Sequence, residues 1–443
     1  MSADIRRPPE GTNATALPRP PLREPAFRTL WLGDLAARSA HQITAFGLPL
    51  LVVTLLAGTG TQVGLVGAAQ FVPVLAFSLL VGTWTARTSL RWILVTGNAA
   101  RGVVLFGIGA LAATDRLVFP ALLVGAFLIG SAAVLHDIGS QVTAPRLLDG
   151  GRLVAGNGLL QATTSVTQMA GPAAAGFIVQ SAGASWAAVV TGALFCAAAM
   201  AMAALPARVL RPATDRGDAP TIRAGLAYVW QSRPIRDLCV QSALFNLHEQ
   251  AFATVFLVYG VRTLGLSGGL IGLVIGLGSV GALVGSLVAG RVGARLHLGR
   301  ALTVSITVAA LGLLLVPGLA AAGTATVLLG AGFVINGAAL AVYNVLAVTV
   351  RQQVPPPVLL GAVTASYRIA AFGSLPVGAL IGGVLTDLAG TTTAVWVVAV
   401  SLTVSSLLLY ASPLRSAAQI SEVRALADTT TTTRKERSIQ HGD

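Results

Sequence analysis

The sequence predicts an all-α membrane protein of twelve spans, built as two pseudo-symmetric six-helix bundles. Three observations carry that prediction. Of 443 residues, 54% are hydrophobic and only 10% charged, against roughly 25% charged in a soluble domain, and the mean hydropathy is +0.78. The apolar residues gather in runs of about 20, the length at which a helix crosses a hydrocarbon core of ~30 Å. The second half of the chain also repeats the first at an offset of 208 positions, as the residue pairs below show.

The runs lack period-two alternation. In lipid every backbone N–H and C=O must be bonded within its own segment, so such runs are helices. They lie near 28–57, 61–84, 91–113, 117–142, 154–181, 184–206, 237–261, 267–290, 300–319, 325–349, 359–386 and 391–412. An even number of spans puts both termini on one side. Arginines choose the side. Alternate loops hold Arg87 and Arg91, Arg146 and Arg152, Arg291, Arg295 and Arg300, and Arg351, whereas the opposite loops hold only Arg116 and Arg262. Cytoplasmic loops carry the Lys/Arg excess, so both termini are expected in the cytoplasm.

Five segments follow. Residues 1–27 and 413–443 read as polar, disordered cytoplasmic tails. The first is rich in proline and arginine and lacks the apolar core of a signal peptide. Residues 28–206 and 237–412 form the two bundles. Between them, 207–236 is a basic cytoplasmic loop in which "TIRAGLAYVWQ" reads as an amphipathic helix at the membrane interface.

Composition also excludes functions. The formal net charge is +13, but the charge sits in short loops and tails rather than on a basic face, so no nucleic-acid partner is expected. Cys196 and Cys239 have neither metal nor redox spacing. No phosphate loop, metal cluster or nucleophile triad is visible, so neither an enzyme nor a cofactor is expected.

The repeat bears on function. At the offset of 208, Gln42 meets Gln250, Gly64-Leu65-Val66 meets Gly272-Leu273-Val274, and Ala86-Arg87 meets Ala294-Arg295. A parallel six-plus-six repeat is a transporter device, with the substrate site near the bilayer midplane between halves that rock.

The stretches "FRTLWLGDLAARSAHQITAFGLPLLV", "GLVGAAQFVPVLAFSLLVG", "APRLLDGGRLVAGNGLLQATTSVTQMAGPAAAG", "IRAGLAYVWQSRPIRDL" and "SLPVGALIGGVL" occur in this order over residues 25–415. In that order and spacing the chain resembles a major facilitator superfamily transporter, and is most similar to the branch of enterobactin exporters and macrolide efflux proteins. The resemblance implies alternating access, with spans 1, 4, 7 and 10 lining a central cavity. In "GTWTARTSLR" the positions Gly82, Arg87 and Arg91 match the family's cytoplasmic gate loop, with Ala86 in place of its aspartate. Gly171, Pro172 and Gly176 of "GPAAAG" resemble the glycine–proline packing motif of proton-coupled drug exporters, with Ala175 in place of one glycine.

Ionisable residues inside spans are costly and mark function by default. Asp34, Arg38 and His41 share one face of span 1, at i, i+4 and i+7. At 1.5 Å per residue Asp34 is shallow and His41 lies near the midplane. Glu249 is the repeat partner of His41 and is equally deep, with Asn246 and Gln250 on the same face. Glu249 is expected to carry the coupling proton; the competing reading is a structural acid bonded to Asn246 or Gln250. His41 lines the cavity or packs through a hydrogen bond. Asp34–Arg38 reads as a structural ion pair ahead of a relay. Asn98 and Arg101 form a polar pair from which Arg101 is expected to reach Asp34 or Asp137. His136 and Asp137 are candidates for a gate, and Gln42, Asn344 and Arg368 for the cavity wall.

The expectation is a monomeric secondary transporter of a bacterial plasma membrane, with protons, a small molecule and the bilayer as its partners. It would export an amphipathic drug or siderophore-like metabolite against protons. A solute importer of the same fold, or a non-transporting receptor or scaffold, are the alternatives.

Overall fold

The computed structural model describes residues 20–148, 150–206, 222–321 and 326–427. The helices in chain order are α1 (Pro25–Thr54), α2 (Gly60–Arg87), α3 (Leu90–Ala113), α4 (Phe119–Leu147), α5 (Gly150–Ala203), α6 (Ile222–Gln231), α7 (Arg233–Arg262), α8 (Gly268–Leu296), α9 (Leu298–Ala321), α10 (Thr326–Gln353), α11 (Leu360–Ala389) and α12 (Thr391–Ser406). α5 is two antiparallel spans joined at Gly183, whose φ of +84° only glycine adopts freely.

Nine of the described helical stretches are long and apolar enough to cross a membrane. One of them, Ala155–Ala203, holds both arms of α5. α1 and α7 fall short because they carry the charges: Arg28, Asp34 and Arg38 in one, Arg233, Arg236, Asp237, Glu249 and Arg262 in the other. With these two counted, the twelve expected spans are all present.

The repeat survives in the helix boundaries. α1 and α7 begin and end 208 residues apart, and so do α3 and α9. Thr59 caps α2 by accepting from the Gln62 N–H (3.2 Å), and its repeat partner Ser267 caps α8 by accepting from Leu270 (3.3 Å). Gly183 and Gly390 make the corresponding tight turns between spans, at φ +84° and +77°.

The two halves pack internally through equivalent helices. In the first, α5 lies against α1 and α3, and α4 against α2 and α3; in the second, α11 lies against α7, and α10 against α8 and α9. Across the divide α2 meets α11 and α5 meets α8. These cross-contacts gather at the end of the molecule away from the termini. There small residues bring backbones together: a Cβ on Gly64 would strike the Ala379 carbonyl, and one on Gly272 the Pro172 carbonyl. The Asp387 carboxylate accepts from the N–H groups of Gly60 and Thr61, both at 2.7 Å, at the N-terminus of α2. Arg262 donates to the Gly58 carbonyl beside it.

Two boundary expectations need correction. Residues 413–427 are folded, not disordered. Leu414, Ala417, Val423 and Ala427 are buried, and the Leu298 and Gly299 N–H groups bond the carbonyls of Ala418 and Ala417. The segment supplies acceptors to the first turn of α9, which has none of its own. At the other end, the first span begins at Pro25 and the seventh at Arg233, each a few residues early, because a proline at the first turn needs no N–H partner. The amphipathic segment is helical as α6, with Val229 buried and Gly225 against Ala362 of α11. Residues 1–19, 207–221 and 428–443 lie outside the described residues.

Ala57 adopts φ +48°, a left-handed conformation that its repeat partner Gly265 (φ +62°) takes without a Cβ penalty. Ala57→Gly should therefore stabilise the protein by about 1 kcal/mol. A rise in the melting midpoint of the purified protein would confirm this, and a fall would contradict it.

Candidate functional site

Two polar constructions stand out, one in each half. The first is a buried chain linking α1, α3 and α4. Asp34, fully buried, accepts at Oδ2 from Arg38 Nε (2.6 Å) and at Oδ1 from Ser140 Oγ (3.1 Å) and His136 Nε2 (3.3 Å). Arg101 Nη2 donates to Asn98 Oδ1 at 2.6 Å. That bond fixes the amide, so Asn98 Nδ2 donates both to the Leu94 carbonyl (2.8 Å) and to His136 Nδ1 (3.1 Å). His136 Nδ1 is thereby an acceptor, and Nε2 carries the hydrogen given to Asp34. Arg101, only 1% exposed, also donates to the Gly97 carbonyl and lies 4.2 Å over the Phe195 ring.

The second construction is a cavity of about 650 Å³ lined by α7, α10 and α11 and closed across the divide by Gln168 of α5. Glu249, Asn246, Asn344 and Arg368 all face it, with Ser242, Tyr343, Arg351 and Tyr367. Glu249 has neither a hydrogen-bond nor an ion-pair partner among the described residues. Asn246 donates instead to the Ala371 carbonyl (2.8 Å). A neighbouring hollow of about 480 Å³ between α2, α4 and α11 shares Thr364, Arg368 and Phe372 with the cavity as a common wall. Arg351 and Gln352, at the last turn of α10, mark the mouth. The cavity thus opens toward the termini and is closed at the far end by the glycine contacts and Asp387.

The two constructions occupy repeat-equivalent positions. Asp34 corresponds to Ser242, and with the shift of 207 between α4 and α10, His136 corresponds to Tyr343 and Asp137 to Asn344. The Asp34–His136 contact therefore has its counterpart in Ser242 and Tyr343, whose hydroxyls are 3.2 Å apart.

Several expected placements differ. Gln42 and Gln250 do not line the large cavity. They line a separate one of about 210 Å³ with Gln70 and Pro172, because α1 and α7 meet along that strip of their surfaces. His41 lines neither; it is half-buried, in charge range of Asp137, Arg101, His136 and Arg38. Arg101 does not touch Asp34 and is linked to it only through Asn98 and His136. Asp137 is exposed on α4 and makes no ion pair among the described residues. Nor does Arg91 among the described residues; its Nε is buried with no partner among them, and its guanidinium lies 6.0 Å from the Trp92 ring. The Arg87 side chain lies outside the described residues. Gly171 abuts Gln42, while Pro172 and Gly176 abut Gly272 and Gly268 of α8.

Four residues of this site escaped the sequence reading. The sequence does not single out Tyr343 or Tyr367, and Arg351 enters it only as a loop charge that sets the orientation. Asp387 was passed over, although it is the only acidic residue of α11.

Two six-helix halves around a cavity open at one end define a membrane transporter. The chain belongs to the major facilitator superfamily, whose profile it matches over residues 30–372 and 238–439. It is 25% identical over 386 residues to the multidrug efflux pump Tap of Mycobacterium tuberculosis, covering 83% of this chain and 88% of that one. Its fold is similar to that of a bacterial homologue of the iron transporter ferroportin in the inward-facing state (TM-score 0.70, 18% identity, 88% of this chain and 99% of that chain). It is less similar to a bacterial ferroportin homologue in the outward-facing state (TM-score 0.58, 20% identity, 87% and 98%). The nucleoside transporter NupG aligns with a TM-score of 0.69 at 14% identity, over 87% of this chain and 98% of that one.

The buried chain makes an asymmetric prediction. Asn98→Leu strands the Arg101 guanidinium in the interior and should cost about 3–5 kcal/mol, read as loss of folded protein in the membrane. Arg101→Met keeps contact with Phe195 and should cost far less. The double variant should express better than Asn98→Leu alone, and an additive loss would contradict the linkage.

Proposed function

We propose that the protein is a proton-coupled exporter of amphipathic small molecules in a bacterial plasma membrane, with both termini cytoplasmic. The observation that carries this reading is Glu249. It is an unpaired carboxyl deep in a membrane-embedded cavity large enough for a drug-sized ligand. A proton taken or released there changes the charge of the cavity floor, and in lipid surroundings that change is worth kilocalories. Similarity to an efflux pump over most of both chains supports export, and the arginine-rich loops on the termini side support the orientation.

In the cycle, the cavity fills from the cytoplasm in the state described. Closing the mouth and parting Gly64 from Ala379 and Gly272 from Pro172 would expose it to the other side. A proton reaching Glu249 from outside would displace the substrate, which leaves chemically unchanged. The buried chain around Asp34 holds α1, α3 and α4 as one rigid piece during the rocking. The protein works as a monomer, since the cavity is complete within one chain.

The test uses inside-out vesicles with an acid lumen and a pH dye. A panel of amphipathic cations, anions and zwitterions is added to wild type and to Glu249→Gln. Substrate should release luminal protons from wild type, and the variant should fall at least about tenfold, the scale of losing one charge-assisted contact. Equal release from both would remove Glu249 from the coupling. For orientation, a fluorescent protein fused after Asp443 should fluoresce and alkaline phosphatase in its place should be inactive; the reverse would invert the topology.

A further inference from the structure

The charges of the cavity are unequal in number and place. Arg351 stacks on Tyr367, its guanidinium carbon 3.4 Å from the ring centre, and gives Nε to the Ala347 carbonyl (3.3 Å). Its two terminal nitrogens have no acceptor among the described residues. Stacking holds the plane of the group while leaving its edge free, the geometry that receives a carboxylate, sulfonate or phosphate. Arg368 is exposed and lines the cavity; among the described residues it approaches the Phe372 ring (5.8 Å) and has no acidic partner. Against these two permanent cations stands one titratable carboxyl, Glu249. The cavity is therefore net positive whether or not Glu249 is charged.

Depth separates them. Arg351 is at the mouth, and Arg368 stands eight residues into α11, ~12 Å from its start. Glu249 stands sixteen residues into α7, ~24 Å from its start. Gly378 of α11 packs on Leu247 of α7 and Gly382 on Ala251, which sets Glu249 level with Leu380, roughly 18 Å of helix deeper than Arg368 and farther still from Arg351. Phe245, Leu340, Val363 and Leu375 contribute an apolar wall.

We infer that this cavity takes an amphipathic organic acid, an anion or a zwitterion, whose acidic group is held by Arg351 and Arg368 while its other polar end reaches toward Glu249. The inference rests on the transporter reading of the same cavity and names its substrate class. A purely cationic amphiphile would meet two fixed positive charges on its way in. An anion would replace its hydration with guanidinium donors that nothing else in the described chain uses.

The experiment compares ligands that share one fluorophore and differ in charge: dansyl-glycine (anion), Nε-dansyl-lysine (zwitterion), dansylamide (neutral) and dansyl-cadaverine (cation). Binding is read by fluorescence on the full chain in phosphatidylcholine nanodiscs. Dansyl-glycine and dansyl-lysine should bind at least about tenfold more tightly than dansyl-cadaverine. Arg368→Gln should remove that preference, and Arg368→Lys should keep part of it. Because Arg351 packs on Tyr367, Arg351→Gln is to be judged only alongside Arg351→Lys. Tighter binding of the cation, no saturable binding of any ligand, or a preference untouched by Arg368→Gln would each overturn the inference; the last would make Arg368 a gate residue only. Loss of dansyl-glycine binding on mixing in phosphatidylglycerol would assign the arginines to a lipid headgroup and overturn it too. The two readings fail separately. Proton release driven by dansyl-cadaverine alone keeps the exporter and removes the acid preference. Dansyl-glycine binding without proton release by any ligand keeps the acid site and removes proton-coupled export.

Discussion

An ionised side chain at the centre of a bilayer costs at least ~2.5 kcal/mol even on the most lenient scale, and the arrangement of α1 and α7 answers to that cost. The chain uses two different solutions. In the first half the charge is buried and saturated: Asp34 accepts three hydrogen bonds, and Arg101 is satisfied by an amide, a carbonyl and a ring face. In the second half it faces a cavity, where water or a ligand can serve as partner. A saturated network is rigid because moving any member strands another. An unsaturated one is responsive because its partners are supplied from outside.

The two solutions occupy equivalent places in a duplicated architecture. Ser242 and Tyr343 stand where the other half has Asp34 and His136, and two hydroxyls need no counter-charge. Their side of the bundle thus leaves room for Arg351 and Arg368 to remain unpaired. One half has become a clamp and the other a binding wall. A symmetric chain with both networks saturated would hold no ligand, and one with both unsaturated would lose the stability that burial of Arg101 demands.

Much of this was legible in the sequence, and the reasons are local. An apolar run can absorb a charge or two, so α1 and α7 read as spans in the sequence around Asp34 and Glu249, although both fall below the hydropathy of the other spans. The offset of 208 placed Glu249 beside His41 in depth, and helical spacing put Asn246 on its face. What failed depends on how helices are rotated against one another. Gln42 and Gln250 are on the expected faces of α1 and α7, but those faces meet each other and enclose their own small cavity. The stack of Arg351 on Tyr367 joins α10 to α11, and no periodicity within either helix announces it. Residues 413–427 are polar enough to read as a tail, yet four small or apolar side chains and two backbone bonds suffice to fold them onto α9.

The far-end closure is matched to the need to open. A wide interface of large apolar side chains would be stable but slow to part. Here contact is made largely through glycine-lined backbone surfaces, where each pair of atoms contributes only ~0.1–0.2 kcal/mol and the attraction vanishes within a small separation. Register is then supplied by polar contacts with strict geometry. The Asp387 carboxylate meets two N–H groups at the N-terminus of α2, which lack partners within their own helix and favour negative charge. When the halves part, water can satisfy both the carboxylate and the helix end, so breaking this contact costs only the small net excess of its hydrogen bonds over hydration. The closure is specific in position and cheap to undo, as rocking about a fixed cavity requires.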